Sequence, residues 1–148
     1  MSGFQTDLLT GLAAYLAGLT PALGTYNTSG AYTALQTGIV LGAVPQDPDR
    51  VITLTAYGIS DDAGLSDSVV GVQVRCRWGG QDPRPVDDLA DAIFDVLHNL
   101  KHPTLSTGVT IVQCLRRSHA SLGQDDSRRW MTASNYAVTV HRPSAHRT

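Results

Sequence analysis

The chain has 148 residues, a formal net charge of -2 and a mean hydropathy of -0.07. This length suffices for one domain with a hydrophobic core, and the balanced charge gives no electrostatic reason to expect that the whole chain binds nucleic acid or an acidic membrane. No apolar run approaches the roughly 20 residues that span a bilayer. Because Asp7 interrupts the N-terminal region and no basic residue precedes it, we also expect no signal peptide.

The N-terminal third predicts one helix, an irregular connector and one strand. Over residues 4–19 apolar side chains cover a wide helical face, and Pro21 ends the helix. Residues 23–37 are rich in glycine, threonine, serine and tyrosine without a sustained period, which predicts an irregular connector. After a proline-rich turn at residues 45–49, the alternating β-branched residues 51–57 predict a strand.

The middle of the chain carries the strongest pattern. An acidic loop is expected at residues 58–68, and from Val70 to Trp78 every second residue is apolar, which predicts a strand with one apolar face. The other face of this strand is polar and cationic and contains Gly71, Gln73, Arg75 and Arg77. An apolar stripe of period 3.6 from Val86 to Leu100 then predicts an amphipathic helix that Pro103 stops.

The C-terminal third predicts two further strands around a polar segment. Residues 109–115 and 130–142 have the composition of strands, and residues 116–129 between them are either a hairpin tip or a mobile loop. Residues 143–148 are expected to be a flexible tail. The two cysteines, Cys76 and Cys114, fall in predicted strands, which favours buried, reduced thiols; a disulfide stays possible only if these strands are neighbours.

The order of helix, strands, helix and strands predicts an α+β fold. We expect one domain over residues 1–142, with a mainly antiparallel sheet of about four strands and both helices on one face. The other face, with Gln73, Arg75 and Arg77, must then be solvated or meet a partner.

Catalytic and metal-binding patterns are not evident in the sequence. A phosphate-binding glycine loop, a nucleophile elbow, a zinc-protease helix motif and paired C-x-x-C motifs are all missing. His98 and His102 have the spacing of one helix face, but Lys101 and the helix end favour a charged C-terminal turn over a metal site. Helix-dipole compensation accounts for the helix's early carboxylates, Asp87, Asp88 and Asp91, better than a divalent cation does. We therefore expect that the protein is not an enzyme and that it binds neither a cofactor nor a metal ion.

Two arginine pairs flank an acidic centre in the polar segment. Arg116 and Arg117 precede Asp125 and Asp126, and Arg128 and Arg129 follow them. A nucleic-acid patch would carry interleaved aromatic residues and a wider basic field. Cross-strand ion pairs in a hairpin, or a contact with another subunit, fit this pattern better than contact with DNA.

The sequence resembles the small neck proteins of tailed bacteriophages, of which the tail terminator is the most similar type. The resemblance covers residues 1–142. It rests on the apolar run at residues 38–44 with the proline turn at 45–49, and on the strand that ends at Gly79-Gly80 followed by Asp82-Pro83 and an aspartate-, alanine- and leucine-rich helix.

The resemblance implies a structural virion protein, made in the host cytoplasm, that closes into a hexameric ring at the neck. Such a ring caps the tail tube, joins it to the head connector or stopper protein, and lets DNA pass through its lumen without sequence-specific binding; no membrane is involved. The resemblance brings no fixed functional motif. As hypotheses we assign Arg75 and Arg77 to subunit contact, and the polar segment to a surface that faces the lumen or the tube, through Arg116, Arg117, Asp125, Asp126, Arg128 and Arg129.

Two other functions stay open. A head-completion or stopper protein of the same neck would share the virion location and differ in the partner that it binds first. A small ligand-binding or enzymatic α+β domain would require a deep pocket with a buried, perturbed titratable group.

Overall fold

Seven strands and two helices form the computed structural model, which describes residues 2–147. In chain order they are α1 (Phe4–Ala17), β1 (Thr25–Tyr26), β2 (Gly38–Leu41), β3 (Val51–Asp61), β4 (Asp67–Trp78), α2 (Arg84–Leu97), β5 (Leu100–Lys101), β6 (Thr110–Gln124) and β7 (Trp130–His141). All strands belong to one sheet in the order β1-β2-β3-β4-β7-β6-β5. Met1, the first residue of the predicted domain, and Thr148, the last residue of the predicted tail, lie outside the described residues.

The predicted sheet of about four antiparallel strands is wrong. The sheet curls into a half-barrel. It is mixed, because β1 pairs parallel with β2 and β2 parallel with β3 at one edge, and β5 adds a short antiparallel strand at the other. These three strands have only two or four residues each. Such short strands are held by backbone hydrogen bonds and are too short to show a period of two in the sequence.

Both helices pack on one face of the sheet and share one hydrophobic core. The α2 stripe buries Val86, Leu89, Ala90, Ile93 and Leu97, as its period predicts. Alternation also places the apolar face of β4 correctly: Val74 pairs with Leu54 and Cys76 with Ile52, and all four side chains are at most 1% exposed. The α2 helix ends before Leu100 because Asn99, with φ of 63°, turns the chain into β5.

Strands β3 and β6 are longer than their apolar residues predict. The expected acidic loop at residues 58–68 is mostly strand, and only residues 62–66 connect β3 to β4. Similarly, β6 continues to Gln124, so residues 116–129 form one arm and the tip of a hairpin with β7. The hairpin alternative is therefore the observed one.

The two cysteines lie on strands that are not neighbours. Cys76 is on β4 and Cys114 on β6, with β7 between them, and both thiols are free and buried. Desolvation by burial raises the pKa of each thiol to about 12.

The C-terminal segment makes hydrogen bonds to the rest of the chain: Arg147 donates from Nε to the Leu65 carbonyl oxygen at 2.9 Å.

Candidate assembly surface

The β6–β7 hairpin tip and the β2–β3 loop are held together by two buried arginines. Arg77 on β4 is 2% exposed and donates to the carbonyl oxygens of Pro48 at 2.6 Å and Asp49 at 3.0 Å. Arg129, 7% exposed, donates from Nη1 to the Gln46 carbonyl oxygen at 2.6 Å. The two side chains therefore bind one loop from two sides, Arg77 from strand β4 and Arg129 from the turn between β6 and β7.

The charge balance of this arginine pair is set by three surrounding aspartates. Burial lowers the pKa of Arg77 from its ordinary value, and the neighbouring positive charge of Arg129 lowers it further. The carboxylates of Asp125, Asp49 and Asp47 act in the opposite direction. Backbone carbonyl oxygens and these carboxylates thus satisfy two guanidinium groups that would otherwise be costly to bury.

Asp125 organises the hairpin tip. Its Oδ1 accepts the backbone N–H groups of Ser127 and Arg129, both at 2.9 Å, and its Oδ2 accepts Nε of Arg129 at 2.8 Å. Burial acts to raise the pKa of Asp125, but these bonds and the charge of Arg129 outweigh it and hold the pKa below the usual value. Asp125 is therefore a turn-forming residue.

Arg116 points to the helix side of the sheet. Its guanidinium carbon lies 4.2 Å from the centre of the Phe94 ring on α2, the geometry of a cation–π contact. Tyr136, its cross-strand partner, is 1% exposed, and burial raises the pKa of its hydroxyl. Arg116 is thus half-buried against α2 and is separated from the exposed residues of the hairpin.

Of the eight residues that the sequence assigned to contacts with a subunit, the lumen or the tube, three are exposed: Arg117, Asp126 and Arg128. Arg75 is half-buried on the face of the sheet without helices, where it pairs across strands with Thr53 and Ala133. The structure therefore divides the eight nominated residues. Arg77, Arg129, Asp125 and Arg116 make contacts within the chain, and the remaining four are available to a partner to different degrees.

A polar bridge that the sequence did not predict crosses the helix-free face of the sheet. Tyr57 on β3 lies over Gly71 on β4, and its hydroxyl donates to Oδ1 of Asn135 on β7 at 3.2 Å. Asn135 in turn donates to Oγ of Ser118 on β6 at 3.0 Å. An isolated glycine inside a strand is the signal that could have indicated such a close approach.

Two long strands have unpaired edges at opposite ends of the sheet. The β2 strand pairs with β3 only at residues 51–54, and the rest of β3, residues 55–61, is here called the β3 free edge. At the other side β5 pairs with β6 only at Gln113 and Cys114, and His98 Nδ1 accepts the backbone N–H of Arg116. Beyond that point residues 117–124 form the β6 free edge.

The described residues form open surface grooves. A groove of about 290 Å³ between α1 and residues 104–106 is lined by Gly11, Ala14, Tyr15 and Leu105, among others. Within residues 2–147, histidine, cysteine and acidic side chains do not gather in groups of three that could hold a metal ion. His98 follows α2 and His102 has φ of 64°, so the two do not share a helix face.

Neither described helix is long and apolar enough to cross a membrane.

The fold also occurs in a chain of a gene transfer agent particle. The chain is similar to a chain of the solved structure "Virion of native gene transfer agent (GTA) particle", with 17% sequence identity, a TM-score of 0.56 and 93% of each chain covered. At this identity the likeness shows a shared fold alone. A comparison with curated protein sequences gives no match.

The sequence itself identifies the family. The family model described as bacteriophage tail terminator protein matches residues 22–142. The chain therefore belongs to the bacteriophage tail terminator family, and it is a structural protein of the phage virion. The resemblance of the sequence to phage neck proteins of the tail terminator type is confirmed.

Proposed function

We propose that this protein ends the growing tail at the neck of the virion. In this proposal, copies of the chain close into a hexameric ring that caps the tail tube, stops its polymerisation and offers a docking surface to the head connector or stopper. DNA crosses the lumen without base-specific contacts. The family match over residues 22–142 is the observation that carries the proposal.

The exposed polar residues are the proposed contact residues. Arg117, Asp126 and Arg128 are exposed on the β6–β7 hairpin, and Arg75 lies on the helix-free face. We propose that these four meet another subunit or the tube. The buried Arg77 and Arg129 then serve the same surface indirectly, because they fix the loop and the hairpin tip next to it.

Electron microscopy of particles labelled with antibody and gold tests the location. Whole particles and separated, headless tails are compared, and preimmune serum is the control. We expect label at the head-proximal end of headless tails, since a terminator binds before the head joins. Label on filled heads but not on headless tails would favour the head-completion protein instead. Label on neither would contradict both.

A charge-reversal series tests the contact residues. We expect Arg128→Asp to reduce the yield of joined particles, because it places a negative charge at the exposed hairpin tip. Asp95→Arg is the matched control, since Asp95 is exposed on α2 and is not part of the hairpin. Equal yields from both variants and from the wild type would remove Arg128 from the proposed surface.

A further inference from the structure

We propose that neighbouring subunits pair edge to edge, with the β3 free edge of one copy against the β6 free edge of the next. The inference rests on the proposed ring and names its interface. Both segments present backbone N–H and C=O groups on one side without a neighbouring strand in the described chain. A second copy of this chain supplies the missing strand for each.

The two free edges match in direction and length. In the sheet, β3 and β6 run in opposite directions, since β3, β4, β7 and β6 are successive antiparallel neighbours. A copy placed beside the first by rotation therefore brings the edges together antiparallel. The β3 free edge has seven residues and one register shift, between Gly58 and Ser60. The β6 free edge has eight residues, begins at the shift between Arg116 and Ser118, and contains a second shift between Ser121 and Gly123.

The side chains match as well. In an antiparallel pair the end of the β3 free edge, Asp61, meets the start of the β6 free edge, Arg117. Opposite charges on paired strands attract, whereas like charges there are destabilising. Two exposed apolar side chains also fall within the seam: Ile59 is 50% exposed and Leu122 is 51% exposed in the isolated subunit. Burying them gives the contact a hydrophobic component.

The positions of the two edges suit a closed ring. The β3 free edge lies at the end of the sheet where β3 turns into β4, and the β6 free edge at the end where β6 turns into β7. Because β4 and β7 are antiparallel, these ends are opposite, so the edges are placed diagonally. Strands that close around an axis must tilt and stagger their register, and a diagonal contact supplies that stagger. A contact between two different patches gives a ring when its rotation closes and an open filament when it does not.

A charge exchange between the two edges is the first test. Assembly is measured by native mass spectrometry and light scattering over a range of protein concentrations. We expect Asp61→Arg and Arg117→Asp each to raise the concentration for half-assembly about tenfold or more, since like charges across an interface are costly. The double variant should restore assembly, and Asp95→Arg should assemble like the wild type. Circular dichroism and the melting temperature confirm that each variant is folded.

Disulfide trapping is the second test. Ser60→Cys combined with Ser118→Cys should give, on oxidation, a ladder of crosslinked chains that ends at the ring size, because these two residues are opposed when Asp61 meets Arg117. Leu35→Cys combined with Ser118→Cys is the control, because Leu35 is exposed outside both free edges. The buried native thiols should not contribute.

The outcomes distinguish a failure of the proposed edge pairing from a failure of the proposed ring. Rings that form normally but neither crosslink nor respond to charge reversal would overturn the edge pairing and leave the proposed function intact. A wild-type chain that stays monomeric in solution and on isolated tails would overturn the ring, and the pairing with it.

Discussion

Arg129 reaches from the turn between β6 and β7 to the carbonyl oxygen of Gln46, with its Nη1 2.6 Å away. The two residues are 83 positions apart in the chain. Because the same guanidinium binds Asp125 within the turn, the hairpin tip and the β2–β3 loop are fixed to each other. An exposed hairpin of polar composition is thereby given one orientation.

Arg129→Ala should destabilise the chain by about 2–3 kcal/mol, since it removes the hydrogen bonds of a charged, buried donor and leaves the Gln46 carbonyl oxygen with only the longer bond from Arg77, at 3.4 Å. Urea unfolding followed by circular dichroism measures the free energy. Arg128→Ala is the matched control, because the neighbouring Arg128 side chain is exposed; its effect should stay within about 0.5 kcal/mol. Equal effects of the two variants would contradict the role of Arg129.

Acid should weaken the hairpin tip through Asp125. The folded-state pKa of Asp125 lies below the usual 3.8, so its contribution to stability is fully present above that value. The contribution is lost as the pH falls from there through the lower, folded-state pKa. We expect the free energy of unfolding of the wild type to fall more steeply over this range than that of Asp125→Asn. Parallel pH profiles for the two proteins would contradict the prediction, and Asp126→Asn is measured alongside as a control.

Gly71→Ala should disturb the polar bridge of the helix-free face. A Cβ atom at this position would lie 2.1 Å from Cε2 of Tyr57, so the ring must move and its bond to Asn135 is lost. We expect a loss of about 1–3 kcal/mol in the free energy of unfolding.

A double-mutant cycle isolates that clash. In a Tyr57→Ala background, Gly71→Ala should be neutral or slightly stabilising, since the obstructing ring is gone. Gly58→Ala, where a Cβ atom meets open space, controls for loss of backbone freedom. A cost of Gly71→Ala that does not depend on Tyr57 would show that the ring is not its cause.

Both cysteines should resist thiol reagents in the folded protein. Their side chains are 1% exposed, and burial raises the pKa of each thiol to about 12, so little reactive thiolate forms at pH 8. We expect Ellman's reagent to react more than about 100-fold slower than in the urea-unfolded chain. A Leu35→Cys variant supplies an exposed thiol for comparison. Rapid labelling of two thiols in the native wild type would contradict the burial.

Periodicity predicted the elements that bury an apolar stripe. The α2 helix and the apolar face of β4 follow from Val86 to Leu97 and from Val72 to Cys76, since burial selects one face of each element. The strands β1, β2 and β5 were missed or misassigned because backbone hydrogen bonds hold such short segments, whatever their side chains. The outer half of β6 was missed because its side chains are solvated on both faces.

For the candidate contact residues, the sequence predicts the face of the strand but not the contacts that each side chain makes with distant segments. Alternation placed Arg75 and Arg77 correctly on the face of β4 opposite the core, yet it could not show that the β2–β3 loop folds over Arg77. Likewise, the arginine pairs Arg116-Arg117 and Arg128-Arg129 each divide into one side chain that bonds inward and one that is exposed. Which member turns inward depends on contacts between distant parts of the chain.

The three register shifts of β6 bear on which strands can join its edge. They fall between Ile111 and Gln113, Arg116 and Ser118, and Ser121 and Gly123. Each inserts an extra residue that bends the strand, so an arbitrary straight peptide cannot follow it over its full length. Such an edge resists the non-specific edge-to-edge pairing of strands that leads to fibrils. It can still pair with a strand that has a register shift at a matching position.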